Sequence, residues 1–243
     1  MKPIEPCMIC GSYAFRGIHQ NGPWRYLRCR GCGLVTIHPR PSPEFLRERY
    51  DRYLSETPED IEQWREMMRP VVLRSADLIR KRVRTTGRRL LDIGSGYGFF
   101  LAEMKNRGWR VEGIEISRPG REYARHALGL TVHSRPLEVM EFPRERFDVI
   151  TLFYVIEHVP EPAALLKHAF RILRPGGMIL LRWPHSTPIV RVLGPMATLF
   201  DIYHTPYHLY DFSPSVMTKL LSLAGFEDPE TRIGGHTLPQ ETL

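Results

Sequence analysis

Arg89-Leu90-Leu91-Asp92-Ile93-Gly94-Ser95-Gly96-Tyr97-Gly98-Phe99-Phe100 is the stretch on which the reading of this chain turns. Residues 90–93 are a short apolar run broken only by an acid, which suits a buried strand. Three glycines follow at alternating positions. Phe99-Phe100-Leu101-Ala102-Glu103-Met104 then suits a helix. A buried strand, a glycine loop and a helix N-terminus are the parts of a nucleotide-type pocket at the edge of a parallel sheet. Glycine lets the backbone turn sharply and approach a ligand closely. The dinucleotide fingerprint needs G-x-G-x-x-G. Here Gly98 comes one residue too early and Phe99 fills the expected slot, so the pattern is D-x-G-x-G-x-G. A nicotinamide dehydrogenase is therefore disfavoured.

In such pockets an acid at the end of the next strand holds the ribose hydroxyls. Arg110-Val111-Glu112-Gly113-Ile114-Glu115-Ile116-Ser117 places Glu115 at that point, 21 residues after Gly94. Its carboxylate accepts from both hydroxyls and repels a 2′-phosphate. From Arg88 onward, strand and helix signals alternate, which predicts a parallel sheet with crossover helices. Further strands are expected at residues 130–133, 147–153 and 178–183, with a turn at Arg174-Pro175-Gly176-Gly177 before the last. Ser213-Pro214 opens a helix that Gly225 closes. Residues 226–233 and 236–243 are expected to add a terminal antiparallel pair. The fold class is thus α/β, a Rossmann-like, mostly parallel sheet of seven strands.

Upstream, residues 59–84 carry apolar side chains near helical spacing, with Pro70 expected to kink the helix or begin a second one. All four cysteines precede that segment, as Cys7-Met8-Ile9-Cys10 and Cys29-Arg30-Gly31-Cys32. Two C-x2-C pairs separated by 18 residues fit the spacing of a zinc ribbon. Four thiolates would close a tetrahedral site around Zn2+, a structural rather than catalytic arrangement. Two disulfides are the competing reading, and they suit secreted chains. The domain plan is a ribbon at 1–40, a helical cover at 41–87 and the sheet domain at 88–243.

The 243 residues are 42% apolar and 25% charged, ordinary values for a globular protein. No run approaches the roughly 18 apolar residues of a membrane span, and the first residues lack the apolar core of a signal peptide. The expected compartment is the cytoplasm. The formal net charge of +7 invites a nucleic-acid partner, with Arg80-Lys81-Arg82-Val83-Arg84 as the densest cluster. The other basic residues are dispersed, which makes that partner the lesser reading.

The D-x-G-x-G-x-G loop resembles motif I of the class I S-adenosylmethionine-dependent methyltransferases, and the strand order matches that family from residue 88 onward. The resemblance implies S-adenosylmethionine as cofactor. It implies binding by Asp92, Gly94, Ser95, Gly96 and Gly98 in the loop, and by Glu115 and Ile116 after the next strand. Phe153 and Tyr154 would border its methionine part. The chain departs from the family after the third strand. The common Gly-Asp pair is replaced by Val132-His133-Ser134-Arg135-Pro136-Leu137-Glu138, which leaves the backbone of Pro136 and Leu137 for the adenine. Cys-Gly-Leu-Val and the proline run after it resemble the leader of a bacterial branch of the family in glycan and natural-product biosynthesis.

Methyl transfer from a sulfonium needs chiefly alignment, and an unactivated hydroxyl needs a base as well. His158 follows the fourth strand, and two roles are open to it, general base or loop support. His208 is the second candidate base. His158, His185, His204 and His208 lack the carboxylates and spacing of a convincing metal site. Residues 184–212 are expected to form a lid over the acceptor, broken into two pieces at Pro195. The leading function is methyl transfer to a small-molecule acceptor, a sugar or glycan precursor. An RNA methyltransferase and a non-catalytic, cofactor-sensing adaptor are the alternatives. The oligomeric state is not legible.

Overall fold

A computed structural model describes residues 3–232, which pack as two compact units. One comprises residues 44–155 and 167–182, and the other the remaining described segments, 3–43, 156–166 and 183–232. The first unit is built on a five-stranded parallel sheet. In chain order its strands are β4 (Arg89–Ile93), β5 (Arg110–Ile114), β6 (Val132–His133), β7 (Phe147–Phe153) and β8 (Leu173–Arg182). In space they run β6-β5-β4-β7-β8, every pair parallel. The chain builds outward from β4 on one side, then crosses to β7 on the other. The switch point therefore lies at the carboxyl ends of β4 and β7, where open parallel sheets bind ligands. All seven residues of β7 are buried, Asp148 and Thr151 included, as an interior strand covered on both faces requires.

Helices α1 (Pro43–Asp51), α2 (Pro58–Arg82), α3 (Phe99–Asn106) and α4 (Arg118–His126) belong largely to this unit, while α5 (Pro162–Ile172) contributes residues to both. Thr57 caps α2, its hydroxyl accepting from the Asp60 amide, and Pro58 holds the first position. The helix runs unbroken through Pro70, so the expected second helix does not begin there. Arg80, Lys81 and Arg82 occupy its last turn, where cations oppose the negative end of the helix dipole. Ile61 and Tyr97 form a small core with Leu54, against which Trp64, Phe99 and Tyr123 pack.

The sheet has five strands among the described residues, not the expected seven. Residues 226–232 carry no strand, and the rest of the expected terminal pair lies outside the described residues. Arg174–Gly177, expected as a turn, is instead absorbed into β8. Its pairing with β7 slips there, from Phe147 opposite Leu173 to Val149 opposite Met178. Gly176 takes a positive φ of 73° at the slip.

The second unit holds an antiparallel sheet of β1 (Phe15–Asn21), β2 (Trp24–Cys29), β3 (Val35–His38) and β9 (Tyr210–Asp211). β2 ends in the second cysteine pair and β3 follows it. β1 is not legible in sequence because Gly17 and a bulge between Gly17 and His19 break its alternation. β9 comes from far along the chain and covers the edge that β3 would otherwise leave open. Tyr26 of β2 stacks on Tyr203, ring centroids 4.1 Å apart. Helix α6 (Thr187–Leu193) is followed by a 3-10 turn at Gly194–Leu199, the two short pieces expected around Pro195. Asp211 of β9 stabilises the start of α6 by accepting from the amides of Ser186 and Thr187 at 2.6 and 3.2 Å.

Candidate functional site

The glycine loop is pinned to the neighbouring strand. The amides of Gly94 and Ser95 donate to the Ile114 carbonyl at 2.7 and 3.0 Å, and the Gly98 amide donates to the Ser95 carbonyl. Gly94, Gly96 and Gly98 all have positive φ. At Gly94 a Cβ would lie 2.2 Å from Val155 Cγ2, and at Gly98 one would lie 2.7 Å from Leu130 Cδ1. Conformation and space thus both demand glycine at these two positions. Gly98 also forms the left-handed N-cap of α3, which turns that helix's free amides toward the loop.

Glu115 is buried beside this loop. Its Oε2 accepts from the Gly96 amide and its Oε1 from the Ser117 amide, each at 2.7 Å. Burial pushes its pKa up, against the pull of the Ser117 and Gly96 amides and the Arg121 charge. Each carboxylate oxygen has a second lone pair for a further donor. Ser95 Oγ is buried at the loop and has no hydrogen-bond partner among the described residues. Asp92 is fully enclosed between β5 and β7, and Thr151 Oγ1 donates to its Oδ1 at 2.6 Å. Burial raises Asp92 to about 7, with the Glu115 charge adding to the effect.

The remaining expected cofactor residues ring the same end of the sheet. Ile116 follows Glu115 and exposes 45% of its surface. Phe153 ends β7, its ring edge-on to Phe100. Tyr154 has a φ of 56°, a conformation that bulky residues rarely adopt, and its amide donates to the Arg182 carbonyl at 2.8 Å. Such strain concentrates at ligand sites. Pro136 is exposed after β6 whereas Leu137 is buried in the core, so Leu137 offers a ligand only backbone. Sequence reasoning missed Thr151 and the Ser117 amide. A lone hydroxyl in the apolar run of β7 was the available signal for Thr151.

In the other unit, the four cysteine sulfurs lie within 4.8 Å of one another. Cys7 and Cys32 are separated by 3.4 Å, Cys10 and Cys29 by 3.5 Å. These distances exceed the ~2.05 Å of a disulfide and approach the ~3.8 Å edge of a tetrahedral zinc–thiolate site. The two knuckles repeat one hydrogen-bond pattern. Gly11 donates to the Cys7 carbonyl and Gly33 to that of Cys29, while the Cys7 and Cys29 amides donate to the carbonyls of Ser12 and Leu34. The donor set and its spacing are compatible with zinc.

The same unit gathers three of the four histidines. His158 and His208 lie edge to face with centroids 4.8 Å apart, and His204 is 5.2 Å from His208. His185 is drawn away by Asp211 at 3.1 Å. Glu157, whose side chain is 1% exposed, joins the group with Oε1 3.9 Å from His158 Nε2. The carboxylate that seemed missing is thus supplied by the residue next to His158. The Leu209 and Tyr210 amides both donate to the Glu157 carbonyl and hold the two segments together. Burial pushes His158 down to about 4, offset in part by its hydrogen bond to Tyr207, and lowers His208 well below its ordinary value. Both imidazoles are neutral at physiological pH.

A family model for a methyltransferase domain matches residues 44–230. The ubiquinone biosynthesis O-methyltransferases of Pseudomonas entomophila and Pseudomonas putida are 29% and 30% identical over 159 residues, covering 61% of this chain and 68% of each relative. The structure of an S-adenosylmethionine-dependent methyltransferase from Mesorhizobium loti aligns with a TM-score of 0.54 at 22% identity, covering 70% of this chain and 87% of that one. That likeness concerns the fold. No helix among the described residues is long and apolar enough to cross a membrane. With the match covering most of the chain and the glycine loop inside it, the protein belongs to the S-adenosylmethionine-dependent methyltransferase family.

Proposed function

We propose that the protein methylates a hydroxyl oxygen of a small molecule and that Cys7, Cys10, Cys29 and Cys32 hold a structural zinc. The observation that carries the cofactor site is the buried Glu115 carboxylate, oriented by the Gly96 and Ser117 amides beside the unpartnered Ser95 hydroxyl. In this reading Glu115 accepts from the ribose hydroxyls. The loop of Gly94, Gly96 and Gly98 admits the cofactor backbone, Asp92 supports the loop from below, and Ile116, Phe153 and Tyr154 border the ligand. Adenine meets the backbone at Pro136 and Leu137.

Transfer to oxygen is supported by relatives named O-methyltransferases. A sugar or glycan acceptor is supported only by the resemblance of the cysteine leader, so the acceptor class is set here as a hydroxylated small molecule. The methyl group itself needs alignment, and an unactivated hydroxyl must lose its proton as the bond forms. The candidate proton acceptors are His158, five residues after the end of β7 in sequence, and His208. His158 is the first choice because its Nδ1 is engaged with the Tyr207 carbonyl at 3.0 Å. In the neutral ring that bond puts the lone pair on Nε2.

The test incubates the full chain with methyl-labelled S-adenosylmethionine and separate pools of hydroxylated aromatics, nucleotide sugars and RNA. Label is expected in a small molecule, at an ether oxygen. Label confined to RNA overturns the acceptor class, and no measurable cofactor binding by calorimetry overturns the site.

A further inference from the structure

Glu157, His158 and His208 bring one carboxylate oxygen and two imidazole nitrogens within 4.8 Å of one another. All three side chains are largely buried. We propose that these residues form a second metal site, separate from the cysteines, which binds a first-row divalent cation and leaves at least one coordination position open.

Three features of the chain support the site. The first is reach. An ion central to three atoms no more than 4.8 Å apart would sit at most about 2.8 Å from each, so a shift of roughly 0.7 Å or less per ligand yields bonds of about 2.1 Å. The second is orientation. His158 Nδ1 is held by the Tyr207 carbonyl, the kind of outer contact that fixes the ring and tautomer of a metal-bound histidine. Nε2 then presents its lone pair toward the side of the ring where Glu157 Oε1 lies at 3.9 Å. The third is rigidity. Glu157 and His158 are adjacent, and the amides of Leu209 and Tyr210 lock the Glu157 carbonyl to the segment carrying His208. The ligands are therefore preorganised by backbone bonds that do not involve the ligand atoms.

Two imidazoles and one carboxylate suit Zn2+, Fe2+, Co2+ or Mn2+ rather than the all-oxygen preference of Mg2+ or Ca2+. His204 stands next to His208, ring centroids 5.2 Å apart, and its buried Nε2 has no hydrogen-bond partner among the described residues. The proposal rests on this unit alone and is independent of the acceptor class. A cation and a proton compete for the same Nε2 lone pair, so His158 serves as the base of the proposed reaction only in chains whose second site is empty.

Cobalt(II) is the probe. The full chain is saturated with Co2+, freed of excess, and its metal content measured together with its absorption spectrum. The expected result is two ions per chain. One should show the intense thiolate-to-cobalt bands of the cysteine site, and the other only weak bands of nitrogen and oxygen ligation. Glu157→Gln and His208→Gln should each remove the second ion and keep the thiolate bands, which report that the ribbon is folded. A wild-type chain with thiolate-bound cobalt only overturns the proposal. So does a second ion retained in both variants, because it must then lie elsewhere. Should a variant lose the thiolate bands as well, the Glu157→Asp chain decides: loss or weakening of second-site cobalt with intact thiolate bands supports the site, and second-site cobalt held as in the wild-type chain overturns it.

Discussion

Glu115 Oε2 lies 2.7 Å from the Gly96 amide nitrogen, and that one bond ties the tip of the glycine loop to the end of β5. Because Oε1 simultaneously accepts from Ser117, the same carboxylate also sets the start of α4. Glu115 therefore shapes the pocket before any ligand arrives.

Removing it should cost both binding and order. Charge-assisted hydrogen bonds are each worth about 1.5–3 kcal/mol, so Glu115→Ala should weaken S-adenosylmethionine binding by roughly tenfold to a thousandfold. The melting temperature should fall as well, since two amides lose their acceptor. Calorimetry and a thermal melt read both effects, and unchanged affinity would remove Glu115 from the cofactor site.

Gly94 faces a steric and a conformational demand at once, and a double mutant separates them. Gly94→Ala forces a methyl into Val155 Cγ2 and a left-handed φ of 73° onto an L-residue. The conformational part alone is about 1–2 kcal/mol. Pairing Gly94→Ala with Val155→Ala should recover the steric share and leave that remainder. Urea unfolding of the four chains in the cycle gives the coupling, and strictly additive losses would show that Val155 is not the obstacle.

Asp92 makes stability depend on pH in a stated direction. Its folded pKa of about 7 stands above the ordinary 3.8 of an aspartate, so the folded state binds more protons in that window. The stabilisation is complete below pH 3.8 and is lost as pH rises through 7. At about 1.4 kcal/mol per unit the effect is at most ~4 kcal/mol. Asp92→Asn keeps an acceptor for Thr151 but carries no charge, so it should exceed wild type in stability at pH 8 and converge with it near pH 4. A difference that is the same at both pH values would sink the assignment.

The cysteine site should report its zinc by chelation. Stripping metal from the purified chain, or substituting Cys29→Ser, should melt the β1–β2–β3 sheet at lower temperature, because the knuckles join its strand ends. Elemental analysis should find thiolate-bound zinc in protein purified without added metal. Two intact disulfides in the metal-free chain would overturn the zinc reading.

His158→Ala distinguishes chemistry from support. A base or metal ligand should lose roughly 10²–10⁴-fold in turnover with cofactor affinity intact. A residue that only steadies its loop should lose cofactor affinity and thermal stability together with turnover. Comparison with His208→Ala shows whether the two act as a unit.

Local signals were enough for the glycine loop, for Glu115 and for the paired cysteines. Each is a short motif whose chemistry depends on residues a few positions apart, or on a repeat with fixed spacing. The alternation of strand and helix signals likewise specified the parallel sheet, since β7 is apolar but for Asp148 and Thr151 and is buried along its whole length. Tertiary structure decided what depends on distant segments meeting. The two-residue strand β9 is too short to show a period, and it exists because it pairs with β3. Thr151 finds Asp92 across neighbouring strands 59 residues apart in sequence. Glu157 and His158 meet His208 only because the Glu157 carbonyl accepts the amides of Leu209 and Tyr210. Spacing along the chain cannot encode such a meeting; pairing of backbone groups that burial leaves no other partner for does.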